Sequence, residues 1–182
     1  MKIILNGEEI KKFMLFTSKH ENRLALEGIS IKNDGGILEI VATDGRALLR
    51  YRRKLGAGEQ LTEGEKITLK LPKLKYKKYN YAIEKVGEKY FIQGLGEESI
   101  CQKIDNTYPN YNVIIEGWEK LPFASDFAMF SAENIKRFEA IADNYELGLP
   151  KARNRTQPHF WEHISNDLGS PRYLIVLMPK TI

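Results

Sequence analysis

The 182-residue sequence predicts an α+β fold in which a strand, a helix and a set of antiparallel strands recur three times. Three observations lead there. Apolar residues fall at helical spacing in two places: Ile10, Phe13, Met14 and Thr17 near the start, then Ile135, Phe138, Ile141, Ala142 and Tyr145 near the end. Between them run short segments rich in β-branched and aromatic residues, some alternating strictly, as in Lys66 to Leu71. Turn residues separate those segments, most plainly Asn33-Asp34-Gly35-Gly36, whose glycines supply the positive φ a hairpin needs.

In chain order, the apolar run Lys2 to Leu5 precedes Asn6, which can accept from the first free amides of a helix, with Glu9 in the capping-box position. That helix leaves Lys11 and Lys12 beside its apolar stripe. Strands are expected over Leu24 to Ile31 and Ile37 to Arg52. A second unit opens at Lys66 to Leu71, and Pro72 suits the first turn of a short helix carrying Lys73, Lys75, Lys77 and Lys78. Strands near Tyr81 to Val86, Lys89 to Gln93 and Ser99 to Ile104 follow. After a loop, Asp105 to Asp126, the third unit starts at Phe127, with Ser131 as N-cap and Lys136 and Arg137 flanking the stripe. The segment Glu146 to Pro158 reads as a loop, and strands Phe160 to Ile164 and Tyr173 to Met178 finish the chain.

The composition, 42% hydrophobic, suffices for a core, and 28 Lys+Arg against 24 Asp+Glu give a net charge of +4, which favours an anionic partner without requiring one. The single cysteine, Cys101, excludes an intrachain disulfide and a cysteine-built zinc site and is read as a buried strand residue. No run of eighteen apolar residues occurs, and the N-terminal apolar run is too short for a signal peptide, so a soluble cytoplasmic protein without membrane partners is expected.

Three short motifs occur in one order. Leu26-Glu27-Gly28-Ile29 is followed by a hairpin and Val41-Ala42-Thr43-Asp44-Gly45-Arg46-Ala47-Leu48; Thr107-Tyr108-Pro109-Asn110-Tyr111 comes next; Tyr173 to Ile182 ends the chain. Together they resemble the β subunit of bacterial DNA polymerase III, the DNA sliding clamp. The resemblance implies an α+β DNA clamp fold of strand-helix-strands half-units, antiparallel sheets outside and helices inside. It makes residues 1–116 one complete domain of two half-units, 117–126 a linker and 127–182 a further half-domain. Clamps of this family carry six half-units where this chain shows three. Arg46-Ala47 stands where the family has His-Arg, and Lys180-Thr181-Ile182 where it ends Met-Arg-Leu.

The same resemblance implies a hydrophobic cleft for short peptides of DNA polymerases and other clamp-binding proteins, at Leu26, Thr43, Gly45, Arg46, Leu48, Pro109, Ile114, Val176, Met178, Pro179 and Ile182. The chemistry suits that role, because leucine, proline and methionine offer adaptable apolar contact and Gly45 lets a ligand approach the backbone. Strand core is the competing reading of Leu26, Leu48 and Val176. The resemblance further implies helices facing double-stranded DNA, where Lys11, Lys12, Lys77, Lys78, Lys136 and Arg137 would contact phosphates without reading sequence. A solvated helix face is the plainer alternative. Clusters at Arg50, Arg52, Arg53 and Lys54 and at Lys151, Arg153 and Arg155 read as solvated strand and loop ends. Homo-oligomerisation is expected, since three half-units cannot encircle a duplex.

The alternative function is a clamp-derived interaction protein, of phage or mobile-element type, that binds clamp partners without encircling DNA. A remote one is a zinc peptidase, since His159-Phe160-Trp161-Glu162-His163 matches H-x-x-E-H. That motif needs a helix, whereas Pro158, Asn166, Gly169 and Pro171 frame a segment whose aromatic residues suit a strand. No catalytic constellation, metal site or cofactor site is expected.

Overall fold

The computed structural model describes residues 1–75, 78–124, 128–142, 147, 150–152, 154, 156–163 and 172–179. Among these, ten strands form one antiparallel sheet: β1 (Lys2–Asn6), β2 (Ile29–Asp34), β3 (Ile37–Thr43), β4 (Ala47–Lys54), β5 (Lys66–Lys70), β6 (Asn80–Val86), β7 (Lys89–Gly94), β8 (Glu97–Lys103), β9 (His159–Glu162) and β10 (Arg172–Leu177). Their order is β1-β6-β7-β8-β5-β2-β3-β4-β10-β9. The first two units exchange strands: β1 pairs with β6, as in Ile3↔Ile83, and β5 pairs with β2, as in Ile31↔Ile67. Neither unit therefore completes its own sheet. The third unit joins through β10, which pairs with β4 along Arg172↔Arg52 to Leu177↔Ala47.

Helix α1 (Gly7–Phe16) starts at the expected capping box. The Asn6 side chain accepts from Glu8 N–H, and Glu9 Oε2 accepts from Asn6 N–H at 2.8 Å. Glu9 Oε1 also accepts from the Tyr51 hydroxyl at 2.8 Å, which ties the cap to β4. Replacing Asn6 with alanine is expected to lower stability by about 1 kcal/mol, read as a reduced urea midpoint at unchanged slope. An unchanged midpoint would show the cap to be idle.

Helices α1 and α3 (Ala132–Ala142) cover one face of the sheet, where Ile10, Phe13, Phe16 and Ile141 pack with Ile40, Ala42, Leu49, Tyr51, Tyr173 and Ile175. The opposite face carries a second cluster. There Val41, Leu48, Leu174, Val176 and Phe160 lie under Tyr108, Tyr111, Ile115 and Trp118, which belong to the segment holding the short helix α2 (Asn112–Ile115) and a 3₁₀ turn, Trp118–Lys120. Two buried side chains anchor that segment: the Tyr111 hydroxyl donates to Glu39 Oε1 at 2.6 Å and the Tyr108 hydroxyl to Val41 O at 3.2 Å.

Several expectations are corrected. Ile37 to Arg52 is two strands, because Asp44 accepts from the amides of both Arg46 and Ala47 and Gly45 takes φ +88°, which reverses the chain. Residues Glu21–Leu26 form a 3₁₀ turn, so strand begins only at Ile29. The described residues after Pro72 are not helical; that segment lacks an apolar stripe to bury, and helices in proteins owe most of their stability to such a face. In α3 the buried residues are Asn134, Arg137 and Ile141, while Ile135 is exposed. Cys101 is buried in β8 as expected, and burial pushes its thiol pKa up to about 12, so it stays protonated.

Candidate functional site

The sheet end formed by the β3–β4 turn and the end of β10 brings together residues distant in sequence. Thr43 faces Leu48 across the turn, Leu48 faces Val176 across the next ladder, and Met178 N–H donates to Arg46 O at 2.9 Å. Thr43 is spent on the turn itself: its hydroxyl donates to Ala47 O and accepts from Gly45 N–H. Leu26 reaches the same place, its Cδ1 lying 3.8 Å from where a Gly45 side chain would start. Leu26, Thr43, Gly45, Arg46, Leu48, Val176 and Met178 thus form one contiguous edge.

A buried cation locks α3 onto that edge. Arg137, only 4% exposed, donates through Nη2 to Asp44 Oδ2 (2.7 Å) and Glu133 Oε1 (2.9 Å), through Nη1 to Asn134 Oδ1, and through Nε to Leu15 O at the end of α1 (2.8 Å). Asn134 Nδ2 in turn donates to Met178 O. Burial tends to raise the Asp44 carboxyl, but the amides of Arg46 and Ala47 and the Arg137 guanidinium outweigh it and hold the pKa below the ordinary carboxylate value.

Leu48 and Val176 are each 3% exposed, so the described floor of this edge is covered by the Tyr108–Trp118 segment. Open apolar surface lies beside it, in a groove of about 240 Å³ lined by Val113, Ile114, Trp118, Leu121, Pro158 and Phe160. Val113 and Ile114 are 72% and 49% exposed there. Pro109 is exposed on the same covering segment, Met178 is exposed and Pro179 half-buried at the end of β10, and Ile182 falls outside the described residues.

No family model matches the chain, and no curated protein matches it. Solved structures do. A DNA polymerase sliding clamp from Bacillus subtilis aligns at TM-score 0.67 and 11% identity, over 100% of this chain and 64% of that one. The Thermotoga maritima DNA polymerase III β subunit aligns at TM-score 0.59 and 12% identity, and a Pseudomonas aeruginosa sliding clamp bound to griselimycin at TM-score 0.63 and 12%, each over 100% of this chain and 66% of that one. The chain has the DNA sliding-clamp fold. It spans just under two thirds of these clamps' length.

Within this clamp fold the six basic positions differ sharply. Lys11 and Lys136 are exposed, on helices that share one face of the sheet; Lys78 is exposed on the non-helical segment before β6; and Lys77 lies outside the described residues. Arg137 is engaged internally. Lys12 is only 7% exposed, its ammonium 5.7 Å from the Tyr173 ring centroid, and burial lowers its pKa against the pull of Glu8 and Glu9. The expectation that these two cations lie on polar flanks is therefore corrected: helical spacing identified a stripe, and tertiary packing widened the buried arc to include both, with Lys12 beside Tyr173 of β10 and Arg137 against the end of α1 and the β3–β4 turn. Within the Arg50–Lys54 cluster two members are bound into the fold, Arg53 chelating Glu59 and Arg52 facing Glu39 and Asp34, while Lys54 is exposed. Lys151 donates to Glu119 O over the Trp118 ring, whereas Arg153 and Arg155 fall outside the described residues.

His159 to Glu162 is strand β9, and His159 Nδ1 sits 3.0 Å from Gln157 O. Residues four apart on a strand are separated by roughly 13 Å, too far to share one metal ion. The zinc reading has no geometric basis. What sequence reasoning missed at the site is the cover, Tyr108, Tyr111, Trp118 and Phe160. The available signal was the run of aromatic residues in an otherwise polar loop, since large aromatics in a connecting segment generally bury against something.

Proposed function

We propose that this chain is a non-enzymatic, cytoplasmic platform of the sliding-clamp type, holding double-stranded DNA without sequence preference and docking short peptides of DNA polymerases and other clamp-binding proteins. The observation that carries this is the sheet running unbroken from β4 into β10, with α1 and α3 side by side on one face. That architecture presents a helical face to one partner and a sheet end to another, and the solved structures sharing it are sliding clamps. Lys11, Lys78 and Lys136 would meet phosphates. Peptides would lie along Ile114 and Val113, past Pro109 toward Gly45, Arg46 and Met178, which are exposed at the sheet end.

The domain reading is one complete unit, residues 1–116, followed by a linker and a half-domain from residue 127. On that reading ring closure needs several copies. The terminal strands are already partly covered, β1 by a bridge to Gln60 and β9 by a bridge from Phe160 to Lys151, with His163 just past its end bridging Leu147. The flank of β8 facing β5 is more open, since the ladder there holds only Leu69↔Lys103 and Lys70↔Gln102, and Ile100 is exposed. Self-association is expected to use that flank.

The test is retention on DNA. A defined oligomer that stays on closed-circular plasmid and is released when the plasmid is linearised is the expected result. Replacing Lys11, Lys78 and Lys136 together with alanine should flatten the log–log dependence of binding on salt by roughly 2–3, about 0.9 for each phosphate no longer neutralised. A monomer with no retention on circular DNA would leave the clamp-derived, partner-binding reading in its place.

A further inference from the structure

A second cavity, of about 250 Å³, opens at the β3–β4 turn and is lined by Lys19, Arg23, Arg46, Asp44, Glu133 and Arg137 among others. Its charges do not cancel. Both carboxylates are committed to Arg137, and Asp44 also accepts two backbone amides. Lys19, Arg23 and Arg46 face the cavity with no ion pair to any described carboxylate. Arg23 is positioned rather than loose: its Nη1 donates to Asp44 O at 2.9 Å, which leaves the other guanidinium N–H groups for a ligand. Gly45 makes that position possible. A Cβ there would lie 3.1 Å from Arg23 Nη1, and the backbone sits at φ +88°, where side chains are strained.

We propose that this cavity is a carboxylate subsite, which selects partner peptides bearing an acidic group. The inference rests on the peptide-docking reading above and adds its charge preference. The cavity adjoins that docking edge, sharing Arg46 with it, and Gly45 lies between Arg23 of the cavity and Leu26 of the edge. A guanidinium fork matches the planar geometry of a carboxylate and can hold it through two parallel hydrogen bonds. A glutamate or aspartate side chain and a peptide C-terminus both supply that group, and the chemistry recognised is the same.

The experiment is affinity selection by the full chain from three hexapeptide libraries built from Leu, Met, Pro, Phe and Ala. The first carries one Glu at a varied position and a C-terminal carboxamide. The second replaces Glu with Gln, and the third has Gln with a free C-terminal carboxylate. Retention of the first or third library about tenfold above the second is expected, the difference between them telling side chain from terminus. Lys19→Gln and Arg23→Gln should each bring the preference towards unity while the second library is still retained. Equal retention of all three overturns the carboxylate subsite and leaves peptide docking standing; retention of none removes both. If the libraries are retained equally while a 20-base-pair duplex shifts the Gly45 and Arg46 amide resonances, the cavity serves DNA phosphate, which also overturns it.

Discussion

Replacing Arg137 with methionine is expected to destabilise the chain by about 3–5 kcal/mol, the usual cost of removing one member of a buried ion pair. Methionine keeps most of the side-chain volume, so the loss reports the charge and its hydrogen bonds. Arg137 joins three pieces, the end of α1 through Leu15 O, the β3–β4 turn through Asp44, and α3 itself. Hydrogen exchange should therefore rise most in α3 and β10, and least in β6 to β8. Uniform acceleration across the sheet would show that the pair supports global stability and no particular junction. The pair also sets a pH dependence. Because the folded Asp44 pKa lies below the ordinary carboxylate value, the folded state binds fewer protons there. Its contribution is complete above the unfolded pKa and is lost as pH falls through the lower folded value. Asp44→Asn should remove that part of the acid sensitivity, and an unchanged acid midpoint would sink the assignment.

Trp118→Ala should cost a similar amount, about 3–5 kcal/mol, because the indole fills the second core between the covering segment and the sheet. It stacks on Phe160 with ring centroids 6.1 Å apart and planes 16° from parallel. Among the described residues its buried Nε1–H has no hydrogen-bond partner, so Trp118→Phe gives up volume and none of the described bonds. Phenylalanine is accordingly expected to recover more than half of the loss, measured by urea unfolding followed through near-ultraviolet circular dichroism. If alanine costs under about 1 kcal/mol, far below the usual range for a buried Trp, residues 105–121 are not part of the cooperative unit. The substitution also bears on function, since Trp118 lines the groove beside Ile114. Peptide retention by the Trp118→Ala chain should fall even at temperatures where the chain stays folded.

The covering segment explains why buried polar groups persist on that face. Tyr111 donates to Glu39, which also faces Arg52, and both burial and the neighbouring carboxylate push the tyrosine pKa up so that it remains a donor. The arrangement aligns the segment on the sheet more tightly than apolar contact alone, because each buried polar group left unpaired costs on the order of 1–3 kcal/mol.

Local chemistry by itself determined the capping box at Asn6, the hairpin at Gly35 and Gly36 and the location of Cys101, since each depends on a few neighbouring residues and on spacing along the chain. The clamp-like motifs were legible as well, and they correctly announced the fold. Tertiary structure alone decided the rest. The pairing of β1 with β6 joins residues some eighty positions apart, as in Ile3↔Ile83, and no local propensity encodes a partner at that distance. Whether a lysine or arginine beside a helical stripe meets solvent depended on what the fold packs against it: Tyr173 of β10 lies beside Lys12, and the end of α1 and the β3–β4 turn enclose Arg137, while Lys11 and Lys136 stay exposed. Leu48 and Val176 were read as cleft residues or core with equal ease, because an apolar strand position looks the same from either side; the segment folded over them made them core.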